Sequence, residues 1–227
     1  MFYGSKCIGC GRCFDICPEG IHTVIDGAHI INRQKCVLCG KCVENCYAGA
    51  LVFSAKELTA DEVMREILQD KVYYDESNGG VTLSGGEVSC QKEFALEIIK
   101  KCKENGIKTA IETNLLLPFE QLRELLAAVD LIMFDIKIFD GEAHKIHTGV
   151  DNAQILENVG KLDELGIPFI VRTPLIPNVT DGAENLSAIA EFISPLKNLL
   201  YYELLNFNPL GASKYQSLDS ENKFEDA

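Results

Sequence analysis

The chain has 227 residues, of which 47% are apolar and 24% are charged, so it can bury a core as globular proteins do. Its formal net charge of −13 provides no general basic surface, which argues against a nucleic-acid partner. No apolar run approaches the roughly 20 residues of a membrane-spanning helix, and the first residues lack the pattern of a secretory signal. We therefore expect a cytoplasmic protein that has no membrane partner.

Eight of the ten cysteines fall within the first 46 residues, in two runs that resemble each other. In bacterial ferredoxins such runs hold two 4Fe-4S clusters, and the last cysteine of each run ligates the other cluster. Zinc is the alternative, but structural zinc sites usually pair two C-x2-C turns. The pattern predicts one cluster on Cys7, Cys10, Cys13 and Cys46, and a second on Cys36, Cys39, Cys42 and Cys17.

The duplicated cysteine runs define a ferredoxin-like domain over residues 1–52, with a hairpin predicted between the runs at residues 22–32. Clusters that are ligated only by cysteine have no open iron for a substrate. The prediction for this domain is therefore electron transfer.

The second domain, residues 53–227, begins with a capping box at Thr59 and Glu62 that predicts the start of a helix. Apolar strands and amphipathic helices then alternate, which predicts an α/β fold with a parallel sheet covered by helices. Periodicity leaves both an open sheet and a barrel possible. The predicted strands are 81–84, 107–112, 131–136, 169–172 and 199–207, and the predicted helices are 91–105, 118–129, 152–165 and 184–194.

Polar residues follow each predicted strand. In a parallel sheet the carboxyl ends of the strands meet at one edge, so these residues are candidates for a common ligand site. Asp135 and Lys137 share one face of the third strand, and Arg172 ends the fourth. A structural ion pair, including one between Arg172 and Asp135, is the alternative. The remaining candidates are Gly85, Gly86, Glu87, Glu112, Thr113, Asn206 and Asn208.

Two pairs of residues are weaker candidates for chemistry. His144 and His147 are spaced i, i+3 on a predicted helix, where they could ligate a metal but more often mark a solvated face. Cys90 and Cys102 are isolated in the sequence, and packing is the favoured interpretation for both.

Six segments together resemble the glycyl-radical enzyme activating enzymes, the branch of the radical S-adenosylmethionine superfamily that includes the pyruvate formate-lyase activating enzymes. The resemblance covers nearly the whole chain, and the cysteine-rich domain looks like that of the larger members. The segments are CIGCGRC at 7–13, VTLSGGE at 81–87, ETN at 112–114, MFDIK at 133–137, RTPLIP at 172–177 and LLNFNPLG at 204–211.

The resemblance implies a partial (β/α)6 radical-SAM-type barrel that lacks its first strand. It also implies an oxidoreductase reaction in which reductive cleavage of S-adenosylmethionine gives a radical that removes hydrogen from a backbone glycine of a partner, a glycyl-radical enzyme. A low-potential electron donor such as flavodoxin or ferredoxin is the other implied partner.

Site residues follow from the same resemblance. The segment 84–87 would hold the amino group of S-adenosylmethionine, and Lys137 and Arg172 would bind its carboxylate and ribose side. Asn208 stands where many relatives carry a histidine near the adenine. An adjoining polar or cation site would be lined by Glu112, Thr113, Met133 and Asp135.

The family's C-x3-C-x2-C loop, which binds the catalytic cluster, is absent from these 227 residues. We expect the chain to be an N-terminally truncated form that is inactive by itself, with a third, catalytic 4Fe-4S cluster present only in the full-length protein. The alternative is a non-catalytic iron-sulfur protein that transfers electrons or binds the partner. An in-frame C-x3-C-x2-C in the DNA upstream of Met1 would favour the first interpretation, and a nearby stop codon the second.

Overall fold

A computed structural model of the chain describes residues 1–207 and Tyr215. Within this part the chain divides into two compact units, Met1–Glu57 and Leu58–Phe207, which we call the head and the body. No helix of the described residues combines the length and the apolar character that crossing a membrane requires.

The head contains the same local structure twice. Each cysteine run follows a single 3-10 turn and leads through a left-handed glycine, Gly11 or Gly40, into a short helix. Between the two copies lies an antiparallel hairpin, as the sequence predicts. The elements are helix α1 (Arg12–Ile16), strands β1 (His22–Ile25) and β2 (Ala28–Ile31), and helix α2 (Lys41–Glu44).

The body begins with helix α3 (Ala60–Gln69), and the predicted capping box is present because Thr59 and Glu62 bond reciprocally. Helix α4 (Lys71–Ser77), which the sequence analysis did not predict, follows it. The other predicted elements are all observed, with shifts of a few residues at their ends. They are helices α5 (Lys92–Glu104), α6 (Phe119–Ala127), α7 (Gly141–Thr148), α8 (Ala153–Glu164) and α9 (Ala183–Ile193), and strands β3 (Gly80–Leu83), β4 (Lys108–Thr113), β5 (Leu131–Asp135), β6 (Phe169–Leu175) and β7 (Leu199–Asn206).

Strands β3 to β7 form one parallel sheet in the order of the sequence. Each crossover therefore moves one strand in the same direction. Because such crossovers are right-handed, the helices collect on one face of the sheet, as they do around a barrel and not in a doubly wound sheet. The predicted α/β fold with a parallel sheet is confirmed.

The two faces of the sheet differ in composition. Residues that point toward the helices form the apolar core together with α5, α6, α8 and α9, and they include Ile111, Ile132, Phe134 and Val171. The residues that alternate with them point to the opposite face. These alternate positions carry Glu112, Asp135 and Arg172, so the charged side chains of three strands share the face away from the helices.

Candidate functional site

The head contains a cavity of about 590 Å³ whose wall includes cysteines from both runs. Three come from the first run and Cys46 comes from the second, and Cys42 also reaches this cavity. A second, smaller cavity is lined by the other three cysteines of the second run and by Cys17 of the first. Each cavity therefore includes three cysteines of one run and the last cysteine of the other, and Cys42 lies on the wall of both.

The cysteines of these cavities are free thiols with the surroundings of metal ligands. Burial raises the pKa of Cys13 and of Cys42, and the neighbouring sulfurs raise both values further. Backbone N–H groups donate to sulfur at 3.4 Å in two places, from Leu51 to Cys46 and from Leu38 to Cys36. Crowded thiols of this kind lose their protons readily only to a cationic centre, and the four sulfurs assigned to each cavity fit the donor set of a 4Fe-4S cluster.

One imidazole of a histidine pair, that of His29, lines the first cavity. His22 and His29 contact each other through ring nitrogens at 2.9 Å, and His29 Nε2 lies 4.0 Å from Cys13 Sγ. Burial lowers the pKa of His22, and the charge of His29 lowers it further. The sequence analysis did not identify this pair.

In the body, the loop after β3 brings two glycines and Glu87 to the carboxyl edge of the sheet. The Glu87 carboxylate accepts hydrogen bonds from Thr113 Oγ1 and from the Asn114 backbone N–H, both at 2.8 Å, and also from Ser89. Its side chain is thus engaged within the protein. A Cβ atom placed on Gly85 or Gly86 would meet no atom within 4 Å, so the space beside this backbone is open to a ligand.

Four charged side chains form one network at this edge. Arg172 donates to Glu112 at 2.7 Å and to Asp135 at 3.3 Å, and Lys137 lies 3.3 Å from Asp135. Ser84 donates to the remaining oxygen of Glu112. The alternative pairing of Arg172 with Asp135 is therefore present in this structure, and Glu112 is a second partner that the sequence analysis did not identify. We call these four residues and Ser84 the charged rim.

Hydrogen bonding sets the protonation of the charged rim. The hydrogen bond from Ser84, followed by that from Arg172, holds the pKa of Glu112 below its ordinary value. Burial alone would lower the pKa of Arg172, but the hydrogen bond to Glu112 and the charge of Asp135 outweigh it and raise that pKa. The carboxylate of Glu112 and the guanidinium of Arg172 therefore stabilise each other's charged form.

Two asparagines, one buried and one half-buried, fix the loops that carry these groups. Asn158 on α8 is fully buried and donates to the carbonyls of Leu115 and Leu117, in the loop after β4. Asn185 on α9 donates to the carbonyl of Lys137 at 3.0 Å. Each asparagine stands at a position where the helical pattern calls for an apolar residue. This was the signal in the sequence that could have identified them, and the sequence analysis did not use it.

The remaining candidates are distributed as follows. Met133 is half-buried and pairs in register with Glu112, and Asn206 ends β7, whereas Asn208 lies outside the described residues. His147 is exposed, but the interpretation of a solvated face is wrong for His144. That ring is buried, and its Nδ1 contacts the Val150 carbonyl at 2.7 Å.

The two isolated cysteines have different environments. Cys102 is buried, and its sulfur lies 3.8 Å from that of Met64, so packing is confirmed. The packing interpretation is wrong for Cys90, which is exposed on the turn Val88–Gln91 because that turn follows the sheet edge and not a core-facing helix.

Comparisons with known proteins agree with this arrangement. A family model described as "Radical SAM superfamily" matches residues 41–193, and one described as "4Fe-4S dicluster domain" matches residues 6–51. Over 226 residues the chain is 38% identical to the (2S)-3-sulfopropanediol dehydratase activating enzyme of Klebsiella oxytoca, with 95% of this chain and 70% of that protein covered. It is also 38% identical over 171 residues to the pyruvate formate-lyase-activating enzyme of Clostridium pasteurianum, which covers 75% of this chain and 71% of that protein.

A solved domain of pyruvate-formate lyase-activating enzyme from Bacteroides vulgatus has the same fold as part of the chain. The TM-score is 0.54 at 31% identity, with 62% of this chain and 91% of that chain covered. The two family models identify an iron-sulfur protein of the radical SAM class, which uses S-adenosylmethionine. The chain belongs to the glycyl-radical enzyme activating enzymes within that superfamily.

Proposed function

We propose that this chain supplies the S-adenosylmethionine-binding edge and two auxiliary 4Fe-4S clusters of an enzyme that generates the glycyl radical on a partner glycyl-radical enzyme. Residues 1–52 form the ferredoxin-like domain and residues 53–227 the partial barrel. The observation that carries the proposal is the charged rim, where Glu112 accepts from both Ser84, the residue before Gly85, and Arg172, and where Lys137 and Arg172 both approach Asp135.

Each group of the charged rim has a role in this proposal. Lys137 and Arg172 bind the carboxylate and ribose side of S-adenosylmethionine, and the backbone of the 84–87 segment binds its amino group. Glu87 acts indirectly, because its carboxylate ties that segment to Thr113 and Asn114. Asp135, with Glu112, holds the two cations in place until the ligand carboxylate competes for them.

The head contributes electrons. Cluster one is held by Cys7, Cys10, Cys13 and Cys46, and cluster two by Cys36, Cys39, Cys42 and Cys17. The lining of the two cavities supports this assignment. When bound, such clusters supply one-electron transfer at low potential. Flavodoxin or ferredoxin is the proposed donor, and the reducing cytoplasm is the compartment that suits free thiols and reduced clusters.

The 227 residues contain no C-x3-C-x2-C motif, so we propose that the chain by itself does not cleave S-adenosylmethionine. The test compares two anaerobically purified proteins: the 227-residue chain, and the same chain extended by any in-frame sequence encoded upstream. Each is mixed with a glycyl-radical enzyme from the same gene neighbourhood, S-adenosylmethionine and dithionite. The measurement is the glycyl-radical signal by electron paramagnetic resonance (EPR).

We expect a radical only with an upstream segment that adds C-x3-C-x2-C. A radical generated by the 227 residues alone would contradict their inactivity. An extended protein that carries the motif, binds S-adenosylmethionine and still yields no radical on that partner would favour the non-catalytic electron-transfer function.

A further inference from the structure

His22 and His29 are held together on one face of the hairpin. In its register Val24 faces His29, and His22 is two residues before Val24 on the same strand, so the two imidazoles are diagonal neighbours. Their ring nitrogens are 2.9 Å apart. With Cys13 Sγ they form a group whose potential ligand atoms all lie within 4.8 Å of one another.

Aromatic packing fixes the orientation of these rings. Phe14 lies 5.8 Å from His22 and 5.0 Å from His29 between ring centroids, and Phe2 meets His29 edge to face at 4.6 Å. His22 is only 5% exposed. Neither imidazole can therefore turn its polar edge freely toward water, and His29 Nε2 stays beside Cys13.

The position of one proton follows from the partners of His29 Nε2. A proton on this nitrogen has two acceptors within reach, His22 Nδ1 at 2.9 Å and, as the longer and weaker contact, the Cys13 sulfur at 4.0 Å. If the proton were on His22 Nδ1 instead, a lone pair of His29 would face a thiolate sulfur, and two electron-rich atoms would repel each other. The arrangement with the proton on His29 Nε2 is the favourable one when Cys13 is a metal-bound thiolate.

We propose that His29, with His22 as its orienting partner, donates a hydrogen bond to the Cys13 sulfur and raises the reduction potential of cluster one above that of cluster two. The inference rests on the proposed cluster assignment. An N–H group beside a cluster sulfur stabilises the additional negative charge of the reduced state. Among the described residues, those that line the second cavity include no histidine and do include the carboxylate Glu19. His22 shares the wall of a neighbouring cavity with Cys36 and Cys42, but its Nδ1 contacts His29 and its Nε2 has no hydrogen-bond partner in the part of the chain that the structure describes.

An electron that enters the head would therefore reside on cluster one in preference to cluster two. His29 is a positioning and tuning residue in this account and not a ligand. The competing possibility is that Cys13, His22 and His29 bind a mononuclear metal such as zinc. The cavity shared with Cys7, Cys10 and Cys46 favours the cluster, because Cys13 belongs to that group of four sulfurs.

The test is an EPR-monitored redox titration of the anaerobically loaded chain, compared with its His29→Phe and His29→Gln variants. Phenylalanine preserves the aromatic packing and removes the donor, whereas glutamine retains an N–H donor. Wild type should show two one-electron steps. We expect His29→Phe to lower the reduction potential of the higher-potential step and to leave that of the other step unchanged. At a fixed potential the ratio of reduced to oxidised cluster one should fall about fivefold, which is the effect of losing one hydrogen bond. The reduction potential of this step should shift less in His29→Gln than in His29→Phe.

Cluster two serves as the internal control in the same molecule. The inference would be overturned if wild type and His29→Phe gave identical titrations, or if both steps shifted equally. It would also be overturned if wild type bound one zinc ion per chain and the His29 variants lost it. Pulsed EPR of reduced wild type labelled with ¹⁵N-histidine needs no substitution and should detect a histidine nitrogen coupled to one cluster. Absence of that coupling would also overturn the inference. If wild type assembled no 4Fe-4S cluster, the proposed assignment itself would fail.

Discussion

Arg172 Nη1 donates a 2.7 Å hydrogen bond to Glu112 Oε1, although β5 lies between the strands that carry the two residues. Its bond to Asp135, the residue directly in register on β5, is longer at 3.3 Å. With Lys137 the charged rim contains two anions and two cations, so the charges balance without a ligand. In the proposed assignment, a ligand carboxylate would compete with Asp135 for these cations.

Lys137→Ala should weaken binding of S-adenosylmethionine by about 10-fold to 100-fold, because a charge-assisted contact to the ligand carboxylate is lost. Isothermal titration calorimetry on cluster-loaded protein measures the effect. Lys145→Ala is the matched control, since Lys145 is an exposed lysine on α7. Equal affinities in the Lys137 variant and wild type would exclude the assigned role.

Ser84→Ala should raise the pKa of Glu112, because the Ser84 hydrogen bond is the largest cause of its depression. When folding lowers the pKa of a carboxyl group, the folded state is stabilised at every pH above the ordinary pKa of that group. This stabilisation is lost as the pH falls through the lowered pKa. The variant should therefore be less stable at pH 7, and its deficit should shrink in acid. Carboxyl-carbon NMR titration measures the pKa directly.

Ser89→Ala is the control for this titration, because Ser89 bonds Glu87 and not Glu112. The pKa of Glu112 should stay at the wild-type value in this variant. A Glu112 pKa that Ser84→Ala leaves unchanged would show that Arg172 alone depresses it.

Cys46→Ala should damage the cluster built on Cys7, Cys10 and Cys13, because Cys46 lines their cavity. Iron content and Mössbauer spectra of the anaerobically loaded protein should show one intact and one degraded cluster. Replacing the exposed Cys90 should leave both intact. Degradation confined to the cluster of Cys36, Cys39 and Cys42 would show that Cys46 ligates that cluster, contrary to the proposed assignment.

Gly80→Ala should destabilise the body by about 1–3 kcal/mol, because the new Cβ would lie 2.1 Å from the Lys108 carbonyl oxygen of the neighbouring strand. Gly160→Ala, in the middle of α8 with nothing within 4 Å of the added Cβ, should stabilise it by about 0.5–1 kcal/mol. Urea unfolding compares the two. Similar midpoints for both variants would contradict the close approach of β3 to β4.

The sequence predicted the parallel sheet because its strands are apolar throughout and each is followed by a helix with a recognisable end, such as Gly106 or Gly166. It also predicted the charged residues at the sheet edge, since strand ends can be read from local pattern. The contact between Arg172 and Glu112 was out of reach, because it depends on the register of three strands. Local pattern contains no information about which strands become neighbours.

The histidine pair was within reach of the sequence. Asp26 and Gly27 form a two-residue turn, which fixes the register of the hairpin and hence the pairing of Val24 with His29. The buried position of His144 was out of reach, because the partner of its ring, the Val150 carbonyl, lies beyond the end of its helix. A polar residue on a short helix carries no local sign of such a partner.

The exchange of Cys17 and Cys46 between the two cavities has a consequence for biosynthesis. Neither cavity has its full set of sulfurs until the second run has emerged from the ribosome, although the first run emerges almost thirty residues earlier. A nascent chain that stops short of Cys46 offers only three of the four proposed ligands of cluster one to any metal that reaches it first. If the proposed assignment holds, delivery of iron and sulfide is therefore best timed after the head has been synthesised, when both clusters can be inserted together.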